Sequence, residues 1–235
     1  MSKTVVILQP GYLPWLGFYE QMVRSDAFVY FDDAQYSKES WRNRNRIKTP
    51  QGAQWLTVPV LLKGRGFPPI REVEIDNTQS WKRSHLGSIV QNYRKAPHFQ
   101  WAYDALEEVY ANLWERLIDL DVALVDTTRQ LLGLDRTVVF SSQLGVEGEG
   151  TERLVGISRA VGADQFYEGA VGEGYVDMKA FDAAGIRVEF QRYDHPVYPQ
   201  LHGAFLSHLS IIDLLFNCGP QSLDILVGKT SEVVG

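Results

Sequence analysis

The sequence is poor in the residues that form disulfide frameworks and thiolate metal centres. Cys218 is the only cysteine among its 235 residues, which excludes a disulfide framework and a cysteine-based metal site. Its five histidines do not recur at the helical spacing, backed by acids, that is typical of zinc enzymes. We therefore assign no metal-ligand residues, and the residues identify no cofactor.

Long apolar runs and an excess of positive charge are also missing. No run approaches the roughly 20 apolar residues that a membrane-spanning helix needs, and the first residues do not follow the pattern of a signal peptide. Lysine and arginine total 23 against 29 acidic residues, a net charge of −6, which argues against a general binder of DNA. These absences predict a cytoplasmic protein without a membrane or DNA partner.

Short motifs of common nucleotide-binding and hydrolytic enzymes are absent as well. The chain contains no Walker-type loop, no dinucleotide fingerprint and no nucleophile elbow. What remains is an ordinary globular composition, with 45% hydrophobic and 22% charged residues. At this length we expect a single domain over residues 1–235, with a helical subregion at about residues 79–134.

Strand and helix patterns alternate at both ends of the chain. An apolar run at residues 5–8 is followed by a turn rich in proline and glycine and by a helical pattern. The alternation returns between residues 136 and 192. It predicts an α/β fold with a mostly parallel sheet and helices on both faces. A β-hairpin is predicted near residues 42–61, and a helical insertion near residues 79–134.

Polar and aromatic residues follow the first two predicted strands. Gln9, Tyr12 and Trp15 lie in the turn after the first strand, where α/β proteins place ligands. Aromatic side chains packed into the core are the alternative. Asp32 and Asp33 end the second strand, and we expect them to be catalytic carboxylates. Such a pair could hold Mg²⁺ through waters and substrate phosphates, or could simply begin a loop.

A cationic segment interrupts this acidic chain. It contains Lys38, Arg42, Arg44, Arg46 and Lys48 against one acid, Glu39. In an extended strand the cations from residue 42 onward share one face, and Asn43 and Asn45 lie on the other. Guanidinium groups bind phosphate oxygens in bidentate geometry. Arg44 and Arg46 therefore predict a phosphate site, with the asparagines as further binding residues. An edge strand protected by charge is the alternative.

A helix predicted over residues 204–218 is apolar around most of its circumference, which indicates a buried helix. Asp213 lies on its short polar stripe. A buried carboxylate needs a partner, because an unpaired one costs several kcal/mol. We predict that Asp213 is a catalytic residue that pairs with a cation or with backbone donors, and Arg44 or Arg46 is the preferred partner. A polar stripe that faces water is the alternative.

Three further candidates lie beyond predicted strands. Ser142 follows the strand that ends near residue 141, and it could bind a ligand or cap the next turn. Tyr175 follows another strand end, in a glycine-containing loop that begins at Glu168; this is either a ligand loop or a surface loop. Gln35, just after Asp33, completes the predicted substrate-binding residues.

Several long motifs of mixed residue types run along the chain. They are Gln9-Pro10-x-Tyr12-Leu13-Pro14-Trp15-Leu16-Gly17, Asp32-Asp33-x-Gln35-Tyr36, Asn43-Arg44-Asn45-Arg46-Ile47, Trp55-Leu56-Thr57-Val58-Pro59-Val60, Ser141-Ser142 and Gly174-Tyr175. With these motifs the chain resembles the WbqC-like protein family over nearly its whole length. The resemblance implies a link to bacterial surface-polysaccharide or natural-product biosynthesis. One departure is Leu8, where the family pattern has histidine.

Together these features predict an enzyme, most simply a transferase of acyl or aminoacyl groups. Its substrate would carry phosphate, as a nucleotide-linked amino sugar does. The alternatives are a non-catalytic nucleotide-sugar-binding or scaffold protein, and an ATP-dependent ligase or nucleotidyltransferase-like enzyme. A tRNA or a carrier-linked donor would fit the cationic segment less simply than a nucleotide sugar would.

Overall fold

The structure, a computed structural model, describes residues 2–37, 40–62, 64 and 66–229. Its strands are β1 (Thr4–Leu8), β2 (Ala27–Tyr30), β3 (Arg44–Thr49), β4 (Gly52–Thr57), β5 (Val60–Leu61), β6 (Glu74–Ile75), β7 (Val138–Phe140), β8 (Gln165–Glu168) and β9 (Arg187–Phe190). Its helices are α1 (Leu16–Arg24), α2 (Trp81–Tyr93), α3 (Phe99–Ala111), α4 (Leu117–Leu131), α5 (Gly150–Ala160), α6 (Met178–Ala183), α7 (Ile211–Cys218) and α8 (Ser222–Leu226).

The chain divides into two compact units. Unit 1 comprises the residues up to Gln9, Glu20–Ala34 and Asp135–Asp194, and unit 2 comprises Pro10–Tyr19, Gln35–Leu134 and the residues from His195 onward. Each unit therefore draws on several separate stretches of sequence. The single domain predicted over residues 1–235 stays a prediction.

Unit 1 is built on a five-stranded sheet in which every neighbouring pair of strands is parallel. The strands lie in the order β7-β2-β1-β8-β9. The chain moves outward from β1 to β2 and β7, and then returns to the other side of β1 for β8 and β9. The predicted α/β fold with a parallel sheet is confirmed.

Side chains alternate between the two faces of this sheet, and helices cover both. Val5 and Phe166 belong to a core cluster with α5 and α6, where the rings of Phe166 and Phe181 stack with centroids 5.0 Å apart. The next residue along β8, Tyr167, faces the opposite side and donates its hydroxyl to Glu20 of α1 at 3.1 Å. The period of two residues in each strand explains this division.

Unit 2 combines small antiparallel hairpins with helices. Strands β3 and β4 pair along their whole length, which confirms the hairpin predicted near residues 42–61, and β5 pairs with β6. Gly52, the first residue of β4 after the turn, has a φ of 107°, a conformation that glycine adopts without steric cost. The predicted helical insertion contains α2, α3 and α4, and α3 packs against both α4 and α7.

The helical insertion breaks between α3 and α4 as well as at Pro97. Leu113, which lies four residues from both Val109 and Leu117, is in this second break and is 75% exposed. The carbonyl of Val109 accepts hydrogen bonds from Asn112 N at 3.3 Å and from Trp114 Nε1 at 2.8 Å. These local bonds end α3, and apolar spacing alone does not reveal them.

Helix α7 begins at Ile211 and not at residue 204. Ser210 caps it, with its side chain accepting a backbone N–H of the first turn. Upstream, both backbone groups of Leu206 bond to the Gln200 side chain at 2.9 Å, so they are not available to a helical ladder. All eight residues of α7 are buried, which confirms the predicted burial.

Phe181→Ala should lower the free energy of unfolding by about 3–5 kcal/mol, because the ring is fully buried and stacks on Phe166. Met178→Ala on the same helix is the matched control. Its side chain is partly exposed, so the loss should stay below about 1 kcal/mol. Urea denaturation followed by circular dichroism measures both values, and equal losses would contradict this account of the unit 1 core.

Candidate functional site

Arg44 and Arg46 of β3 lie beside two exposed tryptophans of unit 2, Trp41 before this strand and Trp55 on β4. The Arg44 Cζ is 4.5 Å from the ring centroid of Trp55, and the Arg46 Cζ is 5.5 Å from that of Trp41. The two indole rings lie 5.2 Å apart, and Trp41 and Trp55 are 46% and 43% exposed. We call these four residues the arginine–tryptophan face. It places two cations and two solvated indoles on one side of the hairpin.

The asparagines that alternate with these arginines are buried. Asn43 Nδ2 donates to the carbonyl of Val58 at 2.8 Å, and Asn45 Nδ2 donates to that of Leu13 at 2.7 Å. Both amides thus bind the protein's own backbone and hold β3 in place. Their predicted contact with a substrate stays a prediction.

Lys48 lies at the inner, covered end of β3 and is only 1% exposed. Its Nζ donates to Gln200 Oε1 at 3.0 Å and to the carbonyls of residues 203 and 204 at 3.3 and 2.6 Å. Burial lowers the pKa of Lys48, while the charge of Asp213 opposes that shift. Three acceptors match the three donors of an ammonium group. At the start of the cationic segment, Lys38 and Glu39 lie outside the described residues.

Asp213 is buried in α7 and is held by neutral donors. Its Oδ2 accepts from the Tyr93 hydroxyl and its Oδ1 from Gln200 Nε2, both at 2.8 Å. Burial raises its pKa, and these donors and the charge of Lys48 oppose the shift. This corrects the predicted pairing with an arginine of the arginine–tryptophan face. Tyr93 also accepts the Lys48 N–H at 2.7 Å, so α7 reaches β3 at Lys48 and not at either arginine.

Tyr12 is fully buried, and its hydroxyl belongs to a directed chain of hydrogen bonds. It lies 2.8 Å from His85 Nδ1, and His85 Nε2 lies 3.1 Å from the carbonyl of Thr57. A carbonyl only accepts, so Nε2 carries the proton, Nδ1 accepts from Tyr12, and Tyr12 accepts from Tyr110. Burial lowers the pKa of His85 to about 4, so its ring is neutral at pH 7. A substrate contact by Tyr12 stays a prediction.

Trp15 is half-buried and stacks on two histidines of unit 2. Its ring centroid lies 5.1 Å from that of His208 and 6.4 Å from that of His195, with interplanar angles of 20° and 17°. Arg46 Nη2 donates to the carbonyl of His208 at 3.0 Å. The structure therefore brings two predicted binding residues, Trp15 and Arg46, to the same histidine.

In unit 1, Asp32 and Asp33 bind the turn that follows β7. Asp32 accepts from the N and Oγ of Ser142 at 2.9 and 2.6 Å, and it shares the single hydroxyl proton of Ser141, whose Oγ lies 3.0 Å away, with Asp33. Asp33 accepts from Ser141 Oγ at 2.5 Å and forms an ion pair with Arg153 of α5. Three predicted site residues thus come together at the carboxyl ends of β2 and β7. Their predicted catalytic and binding roles stay predictions.

Glu168 is not among the predicted site residues, although the loop that begins with it is a candidate ligand loop. It ends β8, is 6% exposed, and its Oε1 accepts from Gly169 N at 3.0 Å and from the Tyr175 hydroxyl at 3.2 Å. Burial raises its pKa to about 7, against the effect of these two donors. A carboxyl group with this pKa can exchange a proton at neutral pH. The sequence feature that could have identified Glu168 is its position, as an acid, at the carboxyl end of a predicted parallel strand.

Asp121 in α4 is a second buried acid that the sequence predictions missed. Neither of its oxygens accepts a hydrogen bond from any residue that the structure describes, and its exposure is 0%. Burial raises its pKa well above the usual range, while the charge of Arg42 opposes this shift. The sequence feature that could have identified Asp121 is its spacing of four residues from Leu117, which places it on the apolar stripe of α4.

The last two predicted binding residues lie in different units. Gln9 follows β1 in unit 1, and Gln35 of unit 2 donates its Nε2 to the carbonyl of Phe67 at 3.1 Å. Among the described residues, no three of the histidine, cysteine, aspartate and glutamate side chains are grouped to hold a metal ion. Within the same residues, every helix is too short or too polar to cross a bilayer.

Comparison with known proteins identifies the family. The profile of the WbqC-like protein family matches residues 9–225. The chain belongs to the WbqC-like protein family. It is similar to the uncharacterized protein Rv1507c of Mycobacterium tuberculosis, with 39% identity over 228 residues that cover 95% of this chain and 97% of the relative. No solved structure matches the chain.

Tyr12→Phe should lower the free energy of unfolding of this WbqC-like protein by about 1–3 kcal/mol, because it leaves His85 Nδ1 and the Tyr110 hydroxyl without partners. Tyr103→Phe is the control, since the Tyr103 hydroxyl donates to Glu107 near the surface. That change should cost about 0.5 kcal/mol or less. An unchanged melting temperature in Tyr12→Phe, with weakened ligand binding, would instead assign the hydroxyl to a substrate.

Glu168→Gln should stabilise the protein increasingly as the pH rises. The pKa of Glu168 in the folded protein is about 7, against an ordinary value of 4.5. Ionisation of Glu168 is therefore unfavourable in the folded wild-type protein. The wild type loses free energy of unfolding from pH 4.5 to pH 7 as Glu168 ionises, and this loss is constant above pH 7. It amounts to about 3 kcal/mol at most. Melting temperatures at pH 4.5, 6 and 8 measure the gap between the two proteins. Glu147→Gln, at an exposed glutamate of the same unit, is the matched control.

Proposed function

We propose that this WbqC-like protein binds a phosphate-bearing substrate on its arginine–tryptophan face. The proposed substrate class is a nucleotide-linked amino sugar, and the proposed reaction is transfer of an acyl or aminoacyl group in bacterial surface-polysaccharide or natural-product biosynthesis. The binding step is supported by one observation, the two guanidinium groups held over exposed indole rings. The pathway is supported by membership of the family.

Each component of the face suits one part of such a substrate. Guanidinium groups offer paired N–H donors whose geometry matches phosphate oxygens, and these charge-assisted bonds are among the stronger ones in proteins. Exposed indoles offer flat apolar surfaces on which a nucleobase can stack, with about 1–3 kcal/mol per base. Arg44 and Arg46 lie on the same side of β3 as a result of the two-residue period, so both can reach one ligand.

Charge protection of a sheet edge explains this face less well. Protective edges carry charged side chains in order to discourage association of strands. Two tryptophans with more than two-fifths of their surface exposed do the opposite, because solvated apolar surface promotes association. Their position directly against the arginines therefore favours ligand binding.

A non-catalytic binding or scaffold protein is the second candidate function. Two of the predicted catalytic carboxylates, Asp32 and Asp213, have both oxygens occupied by hydrogen bonds within their own units. Carboxylates held in this way organise neighbouring elements. This observation favours binding without chemistry at those two residues.

Arg44→Ala and Arg46→Ala should each weaken the binding of a nucleotide sugar by about 10- to 100-fold, since a hydrogen bond to a charged group contributes about 1.5–3 kcal/mol. Thermal stabilisation in titrations with UDP-N-acetylglucosamine, dTDP-glucose, ATP and coenzyme A measures this, because a bound ligand stabilises the folded state by mass action. Arg71→Ala is the matched control, an arginine of unit 2 with a Glu72 neighbour at 3.9 Å.

The ligand panel also separates the candidate functions. Stabilisation by a nucleotide sugar, reduced in both arginine variants and retained in Arg71→Ala, supports the proposal. Stabilisation by ATP alone would favour the ligase alternative, and no response to any nucleotide would favour a scaffold. Equal titrations for the wild type and the two face variants would remove the arginine–tryptophan face from the site.

A further inference from the structure

His208 of unit 2 is exposed to solvent, and its backbone has a conformation that residues other than glycine rarely adopt. Its φ is 58°, in the left-handed region, where the Cβ of an L-residue is crowded. Such conformations persist where the surrounding structure enforces them, and they cluster at functional sites. His208 is therefore a candidate for a ligand contact.

Hydrogen bonds hold the backbone of His208 next to β3. Arg46 Nη2 donates to the His208 carbonyl at 3.0 Å, and Ser210 N donates to the Arg46 carbonyl at 2.9 Å. Ser210 also forms an antiparallel bridge with Trp15. The same guanidinium that bonds to His208 has its Cζ 5.5 Å from the ring centroid of Trp41. His208 therefore adjoins the arginine–tryptophan face, and all these residues belong to unit 2.

The imidazole ring of His208 is held in position by Trp15. The two ring centroids lie 5.1 Å apart, with an angle of 20° between the ring planes. The indole lies directly against Gly17, because a Cβ built on this glycine would overlap the indole ring. A side chain that is held before a ligand arrives loses little conformational freedom on binding. Exposure together with a fixed position is what a binding residue requires.

The two ring nitrogens of His208 differ in their surroundings. Nδ1 lies 2.8 Å from Ser207 Oγ. Among the residues that the structure describes, none forms a hydrogen bond with Nε2. The bond at one nitrogen orients the ring and thereby directs the other nitrogen. His208 therefore offers Nε2 to a ligand, as a donor or as an acceptor.

We propose that His208 binds the sugar of a nucleotide-linked sugar, through a hydrogen bond between its Nε2 and a hydroxyl or amino group of that sugar. The inference deepens the proposed function and rests on it for the class of ligand. In such a ligand the phosphates lie between the nucleoside and the sugar. With a phosphate on Arg46 and the base on Trp41, the sugar is the part of the ligand that is left to reach His208.

Packing on Trp15 does not by itself account for a histidine at this position. An apolar side chain would cover the indole as well as an imidazole does. Glycine would adopt a φ of 58° without steric cost, whereas histidine adopts it at a cost in free energy. A polar ring at an exposed position suits a polar ligand, and a sugar carries several hydroxyl groups.

Calorimetric titration of the full chain with UDP and with UDP-glucosamine tests this inference, because the two ligands share the nucleoside and both phosphates and differ in the sugar. His208→Phe keeps a ring against Trp15 and removes the nitrogens. It should weaken the binding of UDP-glucosamine about 5-fold, the effect of one hydrogen bond, and leave the binding of UDP unchanged. The pair of dTDP and dTDP-glucose repeats the comparison with a second base.

Two further variants accompany this titration. His208→Gly also removes the ring, in a residue that adopts the left-handed conformation without strain, and it should give the same result as His208→Phe. His98→Phe is the matched control, because His98 is a histidine of unit 2 whose ring packs against Gly219. It should bind both ligands as the wild type does. Melting temperatures verify that each variant is folded.

The outcomes separate the sugar contact from the binding of phosphate. Full binding of UDP-glucosamine by His208→Phe would overturn the sugar contact and leave the arginine–tryptophan face in place, as would equal weakening of both ligands. Absence of binding by UDP, UDP-glucosamine, dTDP and dTDP-glucose alike would overturn both proposals. Weakening of UDP-glucosamine alone in His208→Phe, together with unchanged titrations in Arg44→Ala, would support the sugar contact and remove Arg44 from the phosphate site.

Discussion

The Asp213 carboxylate is buried in unit 2, so its hydrogen-bond donors must come from the protein. These donors also fix strand β3, which carries the arginines of the arginine–tryptophan face. Tyr93 donates to Asp213 and accepts the backbone N–H of Lys48, which joins α7 to the inner end of β3. Gln200 completes the carboxylate's contacts and accepts from the Lys48 ammonium. Strand β3 is thereby anchored at one end, which suits the ligand binding proposed for its arginines, because binding residues need fixed positions.

The same requirement applies to the buried acids at the carboxyl ends of the strands in unit 1. Asp32 follows β2 at the carboxyl edge of the sheet, where ligands often bind, and each of its oxygens accepts a hydrogen bond from Ser142. Glu168 lies at the same edge, and its carboxyl group accepts from Gly169 N and from the Tyr175 hydroxyl. Position in the fold makes both acids candidates for a site, and in both cases the partners of the buried polar group are fixed by the tertiary structure.

Predictions from the sequence succeeded where a structure depends on residues close together in the chain. The apolar runs and helical periods predicted the parallel sheet, and the two-residue period placed Arg44 and Arg46 opposite Asn45. The predictions failed where a side chain outside the predicted element forms hydrogen bonds with its backbone. Gln200 takes both backbone groups of Leu206, so the helix predicted from residue 204 begins only at Ile211.

The sequence by itself determined the family, the α/β class and the cationic strand with its alternating faces. Only the tertiary structure decided that Asp213 is held by Tyr93 and Gln200, and that Glu168 lies where the strand order reverses. The reason is physical. Strand and helix patterns arise from neighbours within a few residues, whereas the partners of a buried polar group come from chain segments that meet only after folding. Tyr93 and Asp213, for example, are separated by 120 residues.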